Sequence, residues 1–324
     1  MKSLRLACVV LLLVGCRPKA TYTHLEGQAQ GTTFNISYSD SRDFAAEIDS
    51  LFRVIDRSMS LWDSTSIIRG INENRENIVL DEHFVHVFEK AQEISQTTDG
   101  AFDITVGPLV KRWGFSYKKG GTLPTQKEID SLLSWVGYRK VRVENNRLIK
   151  QNLNIEIDFN AIAQGYTVDL VASFLEKKGI ENYMVEIGGE VRAKGQNDKG
   201  QIWQIGIDKP TDTTSPTRPL QTIVALNDKA LATSGSYRKF VERDGRRFSH
   251  AIDPKTGKPI MHNLLSISVI APDCMTADAY ATAFLVLGKE KTLVLAEQKG
   301  LEVYGIYEDA NKELKTFQTV GFFK

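Results

Sequence analysis

Cysteine is scarce in this sequence, which places Cys8, Cys16 and Cys274 among 324 residues. The N-terminal processing predicted below removes Cys8 and lipidates Cys16, so the folded part keeps Cys274 alone. One cysteine excludes an internal disulfide and a metal site built on thiolates. We expect Cys274 to be a small buried apolar side chain.

An excess of charge of one sign is also absent. Lys and Arg total 41 and Asp and Glu total 40, which gives a formal net charge of +1. A nucleic-acid-binding surface needs clustered basic residues, whereas the charges here are mixed along the chain, so we expect no nucleic-acid partner. After the N-terminus no apolar run is long enough to span a bilayer. The apolar content of 42% supports a substantial core.

The first residues have the features of an exported lipoprotein. Lys2 and Arg5 form a short positive segment before an apolar run at residues 6–14, and that run is too short to cross a bilayer. Small residues then precede Cys16, a pattern typical of processing in which the cysteine becomes the acylated N-terminus. An ordinary secretory signal with an incidental Cys16 is the alternative.

This pattern predicts three parts of the chain. They are a signal peptide at 1–15, a lipidated cysteine with a tether at 16–22, and a folded domain at 23–324. Several acyl chains on one residue give durable membrane binding. We therefore predict a protein anchored by lipid on the periplasmic side of a membrane, with the inner membrane favoured.

The spacing of apolar residues predicts a mixture of strands and helices. Residues 155–159 are predicted as a strand, followed by Asn160 as the N-cap of a helix that ends near Gly179. Another strand is predicted at 248–252, and a helix at 276–287. Strands outnumber helices and many are joined by tight turns, which indicates the α+β class.

Asp278 and Thr282 lie four residues apart where the last of these helices begins. Positions i and i+4 share one helix face, so a carboxylate and a hydroxyl oxygen converge on one point. Two hard oxygens suit Mg²⁺, which completes its shell with water and phosphate oxygens. The simpler interpretation is that Asp278 only interacts with the helix dipole.

Seven segments carry unusual combinations of residues. In chain order they are DGAFDITVGPLV at 99–110, WGF at 113–115, DFNAIAQGY at 158–166, VEIGGE at 185–190, SGSYR at 234–238, HAIDPKTG at 250–257 and TADAYAT at 276–282. Together they resemble the flavin transferase (ApbE) family, the FAD:protein FMN transferases. The resemblance covers nearly all of residues 23–324. It implies a single compact α+β catalytic domain of ApbE type, with antiparallel sheets and packed helices.

The resemblance also implies site residues. Family members bind a metal through a backbone carbonyl, an acid and a hydroxyl, which align with Ala163, Asp278 and Thr282; without the resemblance, Ala163 would be assigned to helix packing. Contacts with FAD align with Gln30, Trp62, Ala101, Phe102, Asp103, Asn160, Tyr166 and Ile252. Two of these have a structural alternative, because Asp103 could cap a turn and Trp62 could pack in the core.

Three positions depart from the family pattern. Gln30 stands where methionine is common, Asn160 where serine is frequent, and Gln164 where lysine is frequent. The change at Gln164 removes a cation near the expected phosphates. A bound metal would therefore have to neutralise more of their charge.

His250 is the one histidine of five that lies in a motif, next to the Asp253–Gly257 turn. Because histidine takes up a proton near neutral pH, we expect His250 to be the catalytic group, with a structural hydrogen bond at the turn as the alternative.

The resemblance implies an Mg²⁺-dependent transfer of FMN from FAD to a threonine or serine hydroxyl of an exported flavoprotein, with release of AMP. Family precedent makes subunits of membrane redox complexes the expected acceptors. Two rival functions stay open. One is an FAD pyrophosphatase that releases FMN and AMP, and the other is a lipoprotein that binds FAD without catalysis.

Overall fold

An antiparallel sheet of eight strands is the centre of the fold, seen in a computed structural model that describes residues 21–116, 122–210, 219–237, 240–243 and 246–323. The predicted signal peptide and Cys16 lie outside these residues and stay predictions. Across the described part of the chain, no helix combines the length and the apolar character needed to cross a membrane.

The strands, in chain order, are β1 (Thr23–Ala29), β2 (Thr32–Tyr38), β3 (Val141–Glu144), β4 (Arg147–Lys150), β5 (Tyr183–Ile187), β6 (Glu190–Lys194), β7 (Trp203–Asp208), β8 (Leu220–Leu226), β9 (Lys229–Gly235), β10 (Phe240–Arg243), β11 (Arg246–Ser249), β12 (Ile252–Asp253), β13 (Lys258–Pro259), β14 (Leu264–Ala271), β15 (Glu302–Glu308) and β16 (Leu314–Gln318). The large sheet has the order β1-β2-β5-β6-β9-β14-β15-β16, and every neighbouring pair in it is antiparallel. The remaining strands form the pairs β3–β4, β7–β8, β10–β11 and β12–β13.

The helices are α1 (Ala45–Met59), α2 (Ile67–Asn72), α3 (Glu82–Thr97), α4 (Gly107–Trp113), α5 (Gln126–Leu133), α6 (Ala163–Lys177), α7 (Cys274–Leu287) and α8 (Lys289–Lys299). Helix α7 is apolar on nearly all sides because it lies between the sheet and other helices, contacting β9, β14, α6 and α3. Helix α6 packs beside it over β5 and β6. The first turns of α6 and α7 are therefore held together in the interior.

The other face of the sheet is covered by the β7–β8 hairpin. Trp203, Ile205 and Ile207 alternate with exposed residues along β7, as expected for a strand with one buried face. They pack in one apolar cluster with residues of β6, β9, β14 and β15. The antiparallel sheets and packed helices confirm the predicted α+β class.

Two predicted strands differ from the structure. Residues 155–159 belong to no strand or sheet. At Ile157 the side-chain amide of Asn72 makes the two hydrogen bonds that a partner strand would make: Ile157 N donates to Asn72 Oδ1 at 2.7 Å, and Asn72 Nδ2 donates to Ile157 O at 2.8 Å. The strand predicted at 248–252 is interrupted after Ser249, whose Oγ accepts a bond from Ala251 N at 3.1 Å.

The predicted N-cap of α6 was also wrong. The helix begins at Ala163, with Ile162 at the N-cap position and no side-chain cap from that residue. Asn160 lies in the preceding turn, where its own N–H donates to Asp158 Oδ1 at 2.8 Å. Asp158 therefore stabilises the turn before the helix and does not cap α6, as expected for an aspartate that accepts from the backbone two residues on.

Candidate active site

Helices α6 and α7 touch at Gly165. The N–H of Gly165 donates to Asp278 Oδ2 at 3.1 Å, and a Cβ atom added at Gly165 would lie 2.4 Å from Cys274 O and 2.8 Å from Asp278 Cβ. Only glycine allows so close an approach of backbones. The contact places Ala163 and Asp278, the predicted metal ligands from two distant segments, at one helix junction.

A chain of hydrogen bonds fixes the Ala163 carbonyl. Thr167 Oγ1 donates to Ala163 O at 2.8 Å, and Gln30 Nε2 donates to Thr167 Oγ1 at 2.8 Å. Gln30 has a φ of 51° in the turn between β1 and β2. The structure thus connects two predicted site residues, Gln30 and Ala163, through Thr167, which the sequence motifs did not single out.

Thr282 lies one turn after Asp278 and meets the end of β9. Its Oγ1 is 3.1 Å from Ser234 Oγ. A hydroxyl that binds a cation through its oxygen has to donate its hydrogen elsewhere, and Ser234 offers an acceptor in that position. Ser234 belongs to the SGSYR segment, but its contact with Thr282 could not be inferred without the sheet register.

A cavity of about 430 Å³ opens beside the start of α6. Its lining consists of Gln30, Gly31, Ile55, Asp56, Met59, Ser60, Trp62, Asn160, Ala163 and Gln164. Four predicted residues are therefore brought together here. Trp62 is 64% exposed, so it does not pack in the core and is accessible for stacking.

The cavity lining carries no positive charge. Its one charged side chain is Asp56, whose pKa burial raises above its usual value with help from Asp63. Gln164 donates from Nε2 to Ile187 O at 2.8 Å and so connects the start of α6 to β5. The positive charge that would neutralise an anion bound in this cavity therefore has to come from outside the lining residues.

The donors at the α6–α7 junction fit Mg²⁺ by their chemistry. A carbonyl, a carboxylate and a hydroxyl are all hard oxygen donors, and Mg²⁺ usually takes one or two carboxylates together with phosphate oxygens. The described residues contain no group of three or more His, Cys, Asp or Glu side chains that could hold a metal. That result is compatible with this donor set, which has a single carboxylate, and a softer metal bound by several imidazoles or thiolates is not suited to it.

The turn that contains Ala101, Phe102 and Asp103 lies after α3, and all three residues are buried. Asp103 Oδ1 accepts from Thr105 N at 2.8 Å and from Thr105 Oγ1 at 2.6 Å, and Oδ2 accepts from Tyr138 N at 2.7 Å. Burial raises the pKa of Asp103. These bonds favour the turn-capping interpretation of Asp103, and contact of this turn with FAD stays a prediction.

The remaining predicted residues do not line the cavity. Tyr166 lies against α3, with its hydroxyl 2.7 Å from His83 Nδ1, and burial raises its pKa to about 12. Ile252 is buried with Leu109 and Val136. His250 lies between β11 and β12, where its ring meets the edge of Phe115 at a centroid distance of 6.4 Å. Their roles stay predictions.

The comparison with known proteins gives a family match over most of the chain. Residues 30–305 match the ApbE family. The FAD:protein FMN transferase of Haemophilus influenzae is 38% identical over 94% of this chain and 91% of its own length. That of Escherichia coli K12 is 34% identical over 98% and 95%.

Solved structures agree. The flavin transferase ApbE from Vibrio cholerae superposes with a TM-score of 0.84 at 37% identity, covering 94% of this chain and 98% of the other. The apo form of the Pseudomonas stutzeri flavinyl transferase ApbE gives a TM-score of 0.84 at 32% identity, covering 94% and 97%.

Proposed function

This chain belongs to the ApbE family, and we propose that it is an Mg²⁺-dependent FAD:protein FMN transferase. The donor is FAD, and the acceptor is a threonine or serine hydroxyl of an exported flavoprotein. The products are the flavinylated protein and AMP. What supports this function beyond the relatives is the joining of two distant segments, at Gly165 and Asp278, beside a cavity large enough for part of a dinucleotide.

The charge of the cavity carries the case for a metal. FAD brings a diphosphate, and the lining residues offer it no lysine or arginine. The amino end of α6 supplies a positive helix dipole, which is worth less than a full cation. Ala163 O, Asp278 and Thr282 would hold Mg²⁺, which when bound would neutralise negative charge on the diphosphate and on the leaving AMP.

The chain's own residues bind and orient the substrate. Trp62, exposed at the cavity, stacks on a ring of FAD, and Asn160 and Gln30 contact it from the cavity wall. The bonds from Gln30 to Thr167 and from Thr167 to Ala163 O keep the carbonyl in one orientation.

The transfer is a substitution at phosphorus. The acceptor hydroxyl oxygen forms a bond to the FMN phosphorus, and the bond from that phosphorus to the bridging oxygen of the diphosphate breaks. AMP leaves with the bridging oxygen, and His250 accepts the proton of the hydroxyl. His250→Gln then lowers turnover at saturating substrate and leaves the affinity for FAD within about twofold, because the FAD contacts remain.

One experiment separates this function from its rivals. The protein is incubated with FAD and Mg²⁺, with and without an acceptor domain, and the acceptor mass and free FMN and AMP are measured. Transfer predicts an acceptor that gains the mass of FMN less one water, together with one AMP. Free FMN and AMP without acceptor indicate a pyrophosphatase, and tight FAD binding that is indifferent to Mg²⁺ with no AMP indicates a carrier.

The enzyme is anchored by lipid at Cys16 on the periplasmic side of the membrane, with the inner membrane favoured. The apolar run at 6–14 followed by small residues and cysteine supports this location. Subunits of membrane redox complexes are its acceptors. Labelling with a radioactive fatty acid and its loss in Cys16→Ser test the anchor.

A further inference from the structure

A carboxylate of each of the helices α6 and α7 accepts hydrogen bonds from N–H groups in the first turn of the other helix. Asp169 of α6 accepts from Cys274 N at 2.9 Å and from Met275 N at 2.8 Å, which are the first two residues of α7. Asp278 of α7 accepts from Gly165 N, the third residue of α6. Each helix therefore has N–H groups of its first turn satisfied by the other helix, which is otherwise a task for a local cap.

The two contacts are one helical turn apart on both helices. Gly165 and Asp169 are separated by four residues, and so are Cys274 and Asp278. Antiparallel helices with four-residue spacing bring both pairs into register on one shared face. The bond to Asp169 thereby sets the rotation and height of α7, and with them the position of the Asp278 carboxylate relative to α6.

Asp169 is itself held from the sheet. Arg192 of β6 donates from Nη1 to Asp169 Oδ1 at 3.0 Å, and its Nη2 lies 3.7 Å from Glu176 Oε1. Asp169 is 8% exposed. A buried carboxylate with two backbone donors and one guanidinium donor has its orientation fixed from three directions.

We infer that Asp169 is a positioning residue for the metal site, acting through α7 to place the Asp278 carboxylate opposite the Ala163 end of α6. The inference rests on the proposed function. The carboxylate oxygens of Asp169 accept from two N–H groups of α7 and from Arg192, so its effect on the metal site is transmitted through α7. Groups that orient metal ligands change metal affinity by about 10–100-fold when they are replaced.

Asp169→Asn is the test and Asp273→Asn is its matched control. Asp273 also caps α7, since it accepts from Thr276 N at 2.8 Å, but it belongs to the helix's own N-cap and does not connect α7 to α6. Asparagine keeps one acceptor oxygen at both positions. A general loss of α7 stability affects both variants, whereas a loss of positioning affects only Asp169→Asn.

The readout is the Mg²⁺ concentration that gives half of the rise in Tm of the full chain with FAD present and no acceptor. We expect about a 10–100-fold increase for Asp169→Asn and less than about twofold for Asp273→Asn. The affinity for FAD without metal stays within about twofold in both. In turnover assays, the Mg²⁺ dependence shifts by the same factor and kcat recovers at high Mg²⁺.

A half-saturating Mg²⁺ concentration unchanged in Asp169→Asn, or shifted equally in both variants, overturns the inference. A fall in kcat alone at saturating Mg²⁺ overturns it as well. If Asp169→Asn does not fold, Asp169→Glu keeps both oxygens and the charge but moves them by one methylene, and the same shift is expected. A wild-type Tm that does not respond to Mg²⁺ contradicts the proposed function itself, before any variant is compared.

Discussion

Gly165→Ala probes the contact between α6 and α7 most sharply. The added Cβ would lie 2.4 Å from Cys274 O, so the helices have to separate by about 1 Å to reach ordinary contact. Overpacking of this kind destabilises by about 1–3 kcal/mol, and the better helix propensity of alanine offsets about 1 kcal/mol of it. We therefore expect a net loss of up to about 2 kcal/mol, or a fall in Tm of up to about 8 °C.

The functional effect of that shift is larger than its effect on stability. The bond from Gly165 N to Asp278 Oδ2 is lost, and a displacement of about 1 Å at a reacting centre lowers the rate by about 100-fold. Tm is measured by calorimetry and FMN transfer by acceptor mass. Gly300→Ala is the control, because Gly300 has a φ of +63° and nothing within 4 Å of its added Cβ.

Because alanine at position 300 has to adopt a left-handed conformation, Gly300→Ala lowers the free energy of unfolding by about 1–2 kcal/mol. We therefore expect its Tm to be close to that of Gly165→Ala, and its turnover to be that of the wild type. Wild-type turnover and wild-type Mg²⁺ requirement in Gly165→Ala refute the reasoning.

Three other substitutions test separate parts of the account. Trp62→Ala weakens FAD binding by up to about tenfold, because stacking is lost, and leaves Tm unchanged. Leu153, which is similarly exposed, is the control: Leu153→Ala changes neither FAD affinity nor Tm, as measured by FAD titration and thermal unfolding. Gln164→Lys restores a cation at the cavity, so FAD affinity measured without metal rises by up to about tenfold; no rise argues against a diphosphate beside Gln164. Burial raises the pKa of Asp158 from 3.8 to about 6. The folded protein therefore keeps the Asp158 proton to a higher pH than the unfolded chain does, and its free energy of unfolding falls as pH rises from about 4 to about 6. Relative to Asp158→Asn, the wild type loses up to about 3 kcal/mol between pH 4 and 7 in denaturant unfolding, and parallel curves contradict this.

The sequence was sufficient for the fold class because local patterns and tertiary structure agree over most elements. The helix predicted at 276–287 is α7 (Cys274–Leu287), and it ends before Gly288, a residue type common at helix ends. The exception at residues 155–159 has a physical reason. A side chain, Asn72, supplies the hydrogen bonds of a partner strand, and no pattern of apolar residues can reveal such a distant partner.

The start of α6 shows the same limit at the site. Asn160 has a good N-cap side chain, but it lies in the turn before the helix, and the carboxylate that accepts from the first turn of α6 is Asp278 of α7. The spacing of Asp278 and Thr282 indicated a shared oxygen site, yet their partners Gly165 and Ser234 come from other elements. Residue types could be predicted from the motifs, whereas the pairing of α6 with α7 and β9 required the three-dimensional packing.

FMN transfer by Asp278→Ala, compared with Cys274→Ala, tests the central claim most directly. Both variants lose a buried group from the first turns of α7. Asp278→Ala removes the carboxylate that accepts from Gly165 N, Cys274→Ala removes a packed sulfur, and each substitution lowers the free energy of unfolding by about 1 kcal/mol. With FAD, Mg²⁺ and an acceptor, we expect no flavinylated acceptor from Asp278→Ala and the wild-type rate from Cys274→Ala. Equal transfer by the two variants would contradict a metal held between α6 and α7.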